Sequence, residues 1–212
     1  MTTRPEGQDP AYDATRVRLG AAVRRLGHAV VRHEADIDTM DEVIESIDSL
    51  VEHLAAHPSR VRNHEDFKAA RTGADAPDQM PMQSHIARPG SGPGSPHGLE
   101  MTVHRRGNRI EAAFHVGHSH EGAPGRSHGG FVALAFDDAM GFVLVLEKVV
   151  AFTGELTIRY KAATPLNTPL VIEAWLSRRE GRKLYMEAEL REHRPDAPLI
   201  ATATALFIEP NF

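Results

Sequence analysis

The stretch GGFVALAFDDAMGFVLVLE, residues 129 to 147, constrains the fold more than any other part of the chain. It is apolar nearly all round at helical periodicity, so a helix formed here has to be enclosed by other elements. Two acids, Asp137 and Asp138, nevertheless stand at its centre. Aspartate is a poor helix former and is seldom buried without a partner. Glu147 and Lys148 cut the run, which leaves it short of the ~20 apolar residues that a membrane span needs.

The sequence around it supplies the enclosure. Leu99, Met101 and Val103 alternate as a strand, Arg105-Arg106-Gly107-Asn108 makes a turn, and Ile110 to Val116 reads as the returning strand. After the helix come four more strand candidates, at 152–161, 168–180, 182–194 and 199–208, with a tight turn at Glu180-Gly181-Arg182. Two strands, one apolar helix and four strands predict an antiparallel α+β domain over 98–212, its sheet curled about the helix.

Upstream, two regions differ in composition. Residues 1–57 form a helical extension in which Leu19, Val23, Leu26, Val30, His33, Ile37, Met40, Ile44, Ile47, Val51 and Leu54 alternate spacings of four and three. Residues 16 to 32 hold five arginines and no acid, whereas 34 to 52 hold eight acids and no Lys or Arg. A Thr-x-x-Glu capping box at Thr39–Glu42 places a second helix start near Thr39. One long helix and a two-helix hairpin both fit, and the charges favour the hairpin, basic helix against acidic. Such a region serves either as a cap on its own domain or as an oligomerisation or partner arm. Residues 58–97, with the extreme stretch ARPGSGPGSPHG, read as a linker, a lid or a wrapped surface segment, and Met80, Met82 and Ile86 as points where it docks.

Composition removes several functions. A net charge of −5 offers no global basic field for nucleic acid, and the absence of cysteine excludes disulfides, thiolate metal ligands and a cysteine nucleophile. No charged-then-apolar leader opens the chain, so a cytoplasmic protein without membrane partners is the expectation. His115, His118, His120 and His128 crowd one segment but lack accompanying carboxylates in a metal-binding pattern, so no metal is expected.

The chemistry lies in H-G-G-x-x-A-x-x-x-D, here His128-Gly129-Gly130 with Ala133 and Asp137. Consecutive glycines at a helix start leave backbone N–H groups open at the positive end of the dipole, as an oxyanion hole requires. With no cysteine and no GxSxG elbow, a carboxylate is the best catalytic candidate. This motif, with FTGELTIRYKAATPL at 152–166, VIEAWLSRREGRKLYMEAEL at 171–190 and ATALFI at 203–208, resembles the hotdog-fold acyl-CoA thioesterases of the phenylacetate-pathway and thioesterase-superfamily-member type.

The resemblance implies a homodimer or dimer of dimers in which Asp137 of one chain faces Gly129 of the other. In it Gly129 N–H polarises the thioester carbonyl, and Asp137 acts as general base or as nucleophile. Thr153 supports the nucleophile or its water, and Arg159, Lys161, Arg182 and Lys183 lie near coenzyme A phosphates. His128 either orients the loop or hydrogen-bonds near the thioester. Neither metal nor redox cofactor is implied. Period-two alternation puts Thr153, Arg159 and Lys161 on one polar face, eight residues or ~26 Å apart, comparable with an extended pantetheine arm. Asp138 lies ~100° round the helix from Asp137 and reads as a structural or solvent-contacting acid. One departure stands out: some relatives carry Asn or Gln before HGG, whereas the loop here is SHEGAPGRS. The alternative to hydrolysis is a noncatalytic acyl-CoA sensor on the same fold.

Overall fold

A computed structural model of the chain describes residues 9–60, 76–83 and 85–211. Part of the expected linker, 61–75, lies outside the described residues. The elements in chain order are α1 (Pro10–Arg32), α2 (Ile37–Ala55), β1 (Pro81–Met82), β2 (Thr102–Arg106), β3 (Arg109–Phe114), a 3-10 turn (His118–His120), α3 (Gly129–Leu146), β4 (Phe152–Tyr160), β5 (Leu170–Glu180), β6 (Lys183–Glu192) and β7 (Leu199–Ile208).

Among the described residues the strands form one antiparallel sheet in the order β1-β2-β3-β5-β6-β7-β4. It closes around α3, whose Ala135, Phe136, Ala139, Met140, Phe142, Val143 and Leu144 are buried against Ile110, Ile172, Leu184, Met186, Leu190 and Phe207. By length and composition alone α3 is apolar enough to cross a membrane, a test that a long, fully enclosed core helix also passes. This is the curled sheet about a central helix that the strand periods predict. β4 follows β7 at one end of the order, so its outer edge is unpaired among the described residues.

The helix ends after Arg32 and a second begins at Ile37, where Asp36 caps it by accepting from Thr39 N–H at 2.8 Å. The restart precedes the Thr39 box by two residues because the earlier acid reaches the first free N–H groups. α1 packs on the domain through the side bearing Gly20, Arg24 and His28. A Cβ on Gly20 would collide with Gly94 O, and Arg24 Nη1 donates to Pro93 O at 3.1 Å and to Ser95 O at 2.5 Å. α2 buries no residue and does not lie along α1. The expected hairpin is therefore not formed within the chain: α1 spends one face on the domain, and the connection is extended at His33 and at Asp36.

The Gly/Pro-rich stretch is a strap. β1 adds to β2 through Pro81 and Met82, and Ile86, Ser91 and Ser95 are buried. Asp138, 4% exposed, fastens the strap to α3. It accepts from Arg88 Nε at 2.7 Å and from Ser91 N–H at 2.5 Å, while Arg88 Nη2 donates to Asp138 O and its guanidinium lies 4.7 Å from the Phe142 ring centre. Gly90 passes so close that a Cβ there would stand 2.7 Å from Asp138 Oδ2.

Candidate active site

α3 begins where the loop Gly122–His128 is held from two sides. Ser127 N–H donates to Thr164 O at 2.9 Å, and His128 N–H donates to His120 O at 2.8 Å. His120 is itself buried, its Nδ1 accepting from Gly117 N–H at 3.1 Å and its ring centre 4.4 Å from that of Phe131. Burial pushes its pKa down to about 4, helped by His28 and other neighbouring imidazoles, so the ring is neutral over the ordinary range. His28 reaches this turn from α1: its Nδ1 accepts from Ser119 N–H at 3.0 Å, and desolvation leads the causes that lower its pKa.

His128 is the N-cap of α3. Its Nδ1 accepts from Gly130 N–H at 3.0 Å, and His128 O accepts from Phe131 N–H. That leaves Gly129 N–H with no protein acceptor among the described residues. On the other side of the same residue, Tyr160 OH donates to Gly129 O at 2.8 Å, and burial raises the Tyr160 pKa. The glycine is thus fixed by its carbonyl with its N–H open. A cavity of about 430 Å³ adjoins it, lined by Ser127, Gly129, Val132, Tyr160, Lys161 and Thr164 among others.

The carboxylate sits at the far end of β4. Thr153 Oγ1 donates to Asp137 Oδ1 at 2.7 Å, and Asp137 is half-buried. Their meeting depends on a bulge at Gly154. Thr153 pairs with Phe207 and Glu155 with Leu206, after which Leu156, Ile158 and Tyr160 pair with Ala205, Ala203 and Ala201. Paired residues share a face, and Phe207, Ala205, Ala203 and Ala201 all belong to the buried core. Thr153 therefore faces α3 together with Tyr160, while Arg159, paired with Thr202, lies on the outer face. The common polar face expected for Thr153 and Arg159 is corrected: simple alternation fails because Gly154 adds one residue.

The other expected residues separate. Lys161 lines the cavity beside Gly129. Arg182 and Lys183 lie in and after the β5–β6 turn, level with Ile208 and Phe152, at the end of the sheet that bears Thr153. Arg182 Nη1 donates to Glu209 O at 2.9 Å. Within one chain they do not meet Arg159 and Lys161. The crowded histidines are individually engaged, His115 with Glu100, His118 with Asn167, and His120 and His128 with backbone N–H groups. The sequence reading missed Tyr160, whose hydroxyl lies on the same strand face as Leu156, Ile158 and Thr153.

Asp137 and Gly129 are eight residues apart on one helix, ~12 Å along its axis. They cannot act on the same carbonyl from one chain.

The thioesterase superfamily model matches residues 125–196. Acyl-coenzyme A thioesterase THEM4 from Xenopus laevis is 34% identical over 109 residues, 51% of this chain and 49% of its own length. Its mouse counterpart is 36% identical over 101 residues, 48% and 43% of the two chains. Human acyl-coenzyme A thioesterase THEM5 is 30% identical over 96 residues, 45% and 38%. The chain spans about half the length of the curated relatives it matches. A crystal structure of a thioesterase superfamily protein aligns with 99% of this chain and 95% of its own at a TM-score of 0.76 and 22% identity, a likeness of fold that includes the N-terminal helices. The domain that encloses the Gly129–Leu146 helix in its sheet is thus similar to the thioesterase superfamily, in sequence over residues 125–196 and in fold over nearly the whole chain.

Proposed function

We propose that the protein hydrolyses an acyl-CoA thioester to the free acid and coenzyme A, at sites shared between two copies of the chain. The observation that carries this reading is the division of the site within one protomer: an open Gly129 N–H at the start of α3 and a Thr153-bound Asp137 two turns further on. The unpaired edge of β4 supplies the way to join them. Antiparallel pairing of β4 with its copy about a twofold axis at Thr157 would set Leu156 against the partner's Ile158 and Glu155 against the partner's Arg159. Apolar then meets apolar, and acid meets base. The same pairing brings Thr153 and Asp137 of one chain beside the partner's Tyr160 and Gly129.

In such a site Gly129 N–H donates to the thioester oxygen and stabilises the charge that develops there, reinforced by the positive end of the helix dipole. Thr153 holds one oxygen of Asp137 and leaves the other directed to the reacting centre. The carboxylate takes a proton from water as the water oxygen bonds to the carbonyl carbon. The C–S bond then breaks, and the sulfur leaves with the proton as coenzyme A thiol. In the second route the carboxylate itself bonds to the carbonyl carbon, the C–S bond breaks, and the thiolate leaves as coenzyme A thiol with a proton from water; water then hydrolyses the resulting anhydride to the free acid and the Asp137 carboxylate. Neither route calls on a metal or redox group. Arg159 and Lys161 lie at the same end of the joined sheet as the partner's Arg182 and Lys183, a cationic group suited to coenzyme A phosphates.

The test is release of free thiol from a panel of acyl-CoA thioesters by the purified protein. Hydrolysis of at least one member is expected, with a loss of about 10²–10⁴-fold in kcat for Asp137→Asn and coenzyme A binding retained. Tight binding with no turnover across the panel would favour the acyl-CoA sensor instead.

A further inference from the structure

The helical extension exposes an apolar stripe that the enclosed domain does not use. On α1, Leu19, Val23, Leu26 and Val30 face away from the domain. On α2, Ile37, Met40, Ile44, Val51 and Leu54 continue the same spacing, widened by Val43 and Leu50, and Ile44 and Leu50 are 54% and 63% exposed. A helix of this length with nothing among the described residues packed on its apolar stripe is marginal in water, so the stripe calls for a partner.

The charges beside it say which. Arg18, Arg25 and Arg32 repeat at seven residues and form one exposed row along α1. Asp38, Glu45 and Glu52 repeat at the same interval on α2, with Asp41 and Asp48 between them and the stripe. Viewed down each helix from its N-terminus, the arginine row lies on one flank of the stripe and the acidic rows lie on the other. Two helices packed along such stripes bring opposite flanks together only when they run parallel. Parallel pairing of α1 with α2 would therefore match the rows over their whole length. Antiparallel pairing would set the arginines against Thr39, Ser46 and His53 instead.

A chain that links its own α1 and α2 through residues 33–36 can only pack them antiparallel. Two copies of α2 packed on one another would bring acid rows together when antiparallel and leave them unanswered when parallel. The partner that satisfies both the apolar stripe and the charges is α2 of a second copy. From this we infer that the N-terminal helices form a reciprocal clasp, α1 of each protomer running parallel to α2 of another. The clasp is an interface separate from the β4 edge, and it does not depend on the hydrolase reading.

The absence of cysteine makes the test direct. Val23 and Ile44 lie near the middles of their helices, so they approach one another in the clasp. Full-length chains carrying Val23→Cys and Ile44→Cys, distinguished by tags, are co-expressed, oxidised and separated without reductant. A disulfide-linked pair containing both tags is expected, with little linkage when either variant is made alone. Linkage within one variant alone, closure only within the chain when both substitutions are placed on one chain, or no linkage would each overturn the clasp. Sedimentation of Ile44→Glu gives a second reading: association weakened by about tenfold or more is expected, and unchanged association would contradict the proposal.

Discussion

Thr153 Oγ1 lies 2.7 Å from Asp137 Oδ1, a contact between the start of β4 and the middle of α3 that exists because Gly154 bulges the strand. A hydrogen bond to a carboxylate is worth ~1.5–3 kcal/mol. Thr153→Val should therefore lower kcat by roughly 10–100-fold with little change in KM, while Thr153→Ser, which keeps the donor, should retain most of the rate. Steady-state kinetics on an acyl-CoA substrate separates the two. Equal losses in both variants would mean that the methyl group, and not the hydroxyl, matters.

Gly129→Pro removes the N–H assigned to the oxyanion while suiting the fold. Proline is favoured at the first helical position, and His128 already has the extended φ −64°, ψ 135° that precedes proline comfortably. The Tyr160 hydroxyl, 3.2 Å from where a Cβ would stand at Gly129, has only to shift slightly. A fall in kcat of about 10²–10³-fold is expected with the melting temperature nearly unchanged.

The adjacent aspartates should respond oppositely. Asp138→Ala leaves Arg88 and Ser91 N–H without their buried acceptor and should cost about 3–5 kcal/mol, seen as a melting temperature lowered by roughly 10 °C. It should also expose the strap to proteolysis between Ile86 and Leu99. Asp137→Ala should remove activity at small cost in stability. Differential scanning calorimetry and thiol-release kinetics on both variants check the division.

His120 makes stability pH-dependent. Its folded pKa of about 4 lies below the ordinary 6.5, so the unfolded chain binds a proton first as pH falls. The stabilising contribution is complete above 6.5 and is lost progressively down to about 4, reaching on the order of 3 kcal/mol. His120→Asn, whose Oδ1 can still accept from Gly117 N–H, should flatten urea-denaturation stability between those pH values relative to the parent.

Much of this was legible in the sequence because it rests on period. Alternation located β2 to β7, and an all-round apolar run located α3, since burial on one face or all faces writes itself into residue spacing. The HGG-to-Asp137 spacing singled out the glycine at the start of α3 and the half-buried acid at its middle. What escaped depends on single residues or long-range partners. One bulge at Gly154 reversed the face of Thr153 relative to Arg159. Of the readings open for residues 58–97 the wrapped surface segment is the one found, docked at Met82 and Ile86, but the carboxylate that fastens it lies fifty residues from its arginine, beyond any local pattern. The hairpin failed because the matching charges specify a direction that a short connection cannot supply.

In the proposed active site Asp137 comes from one chain and Gly129 from another. Co-expression of Asp137→Asn chains with Gly129→Pro chains, followed by isolation of the mixed assembly through two tags, tests it most directly. Each variant alone should be nearly inactive, and the mixed dimer should regain activity approaching that of one of its two sites. Mixed assemblies no more active than the separate variants would contradict the shared site.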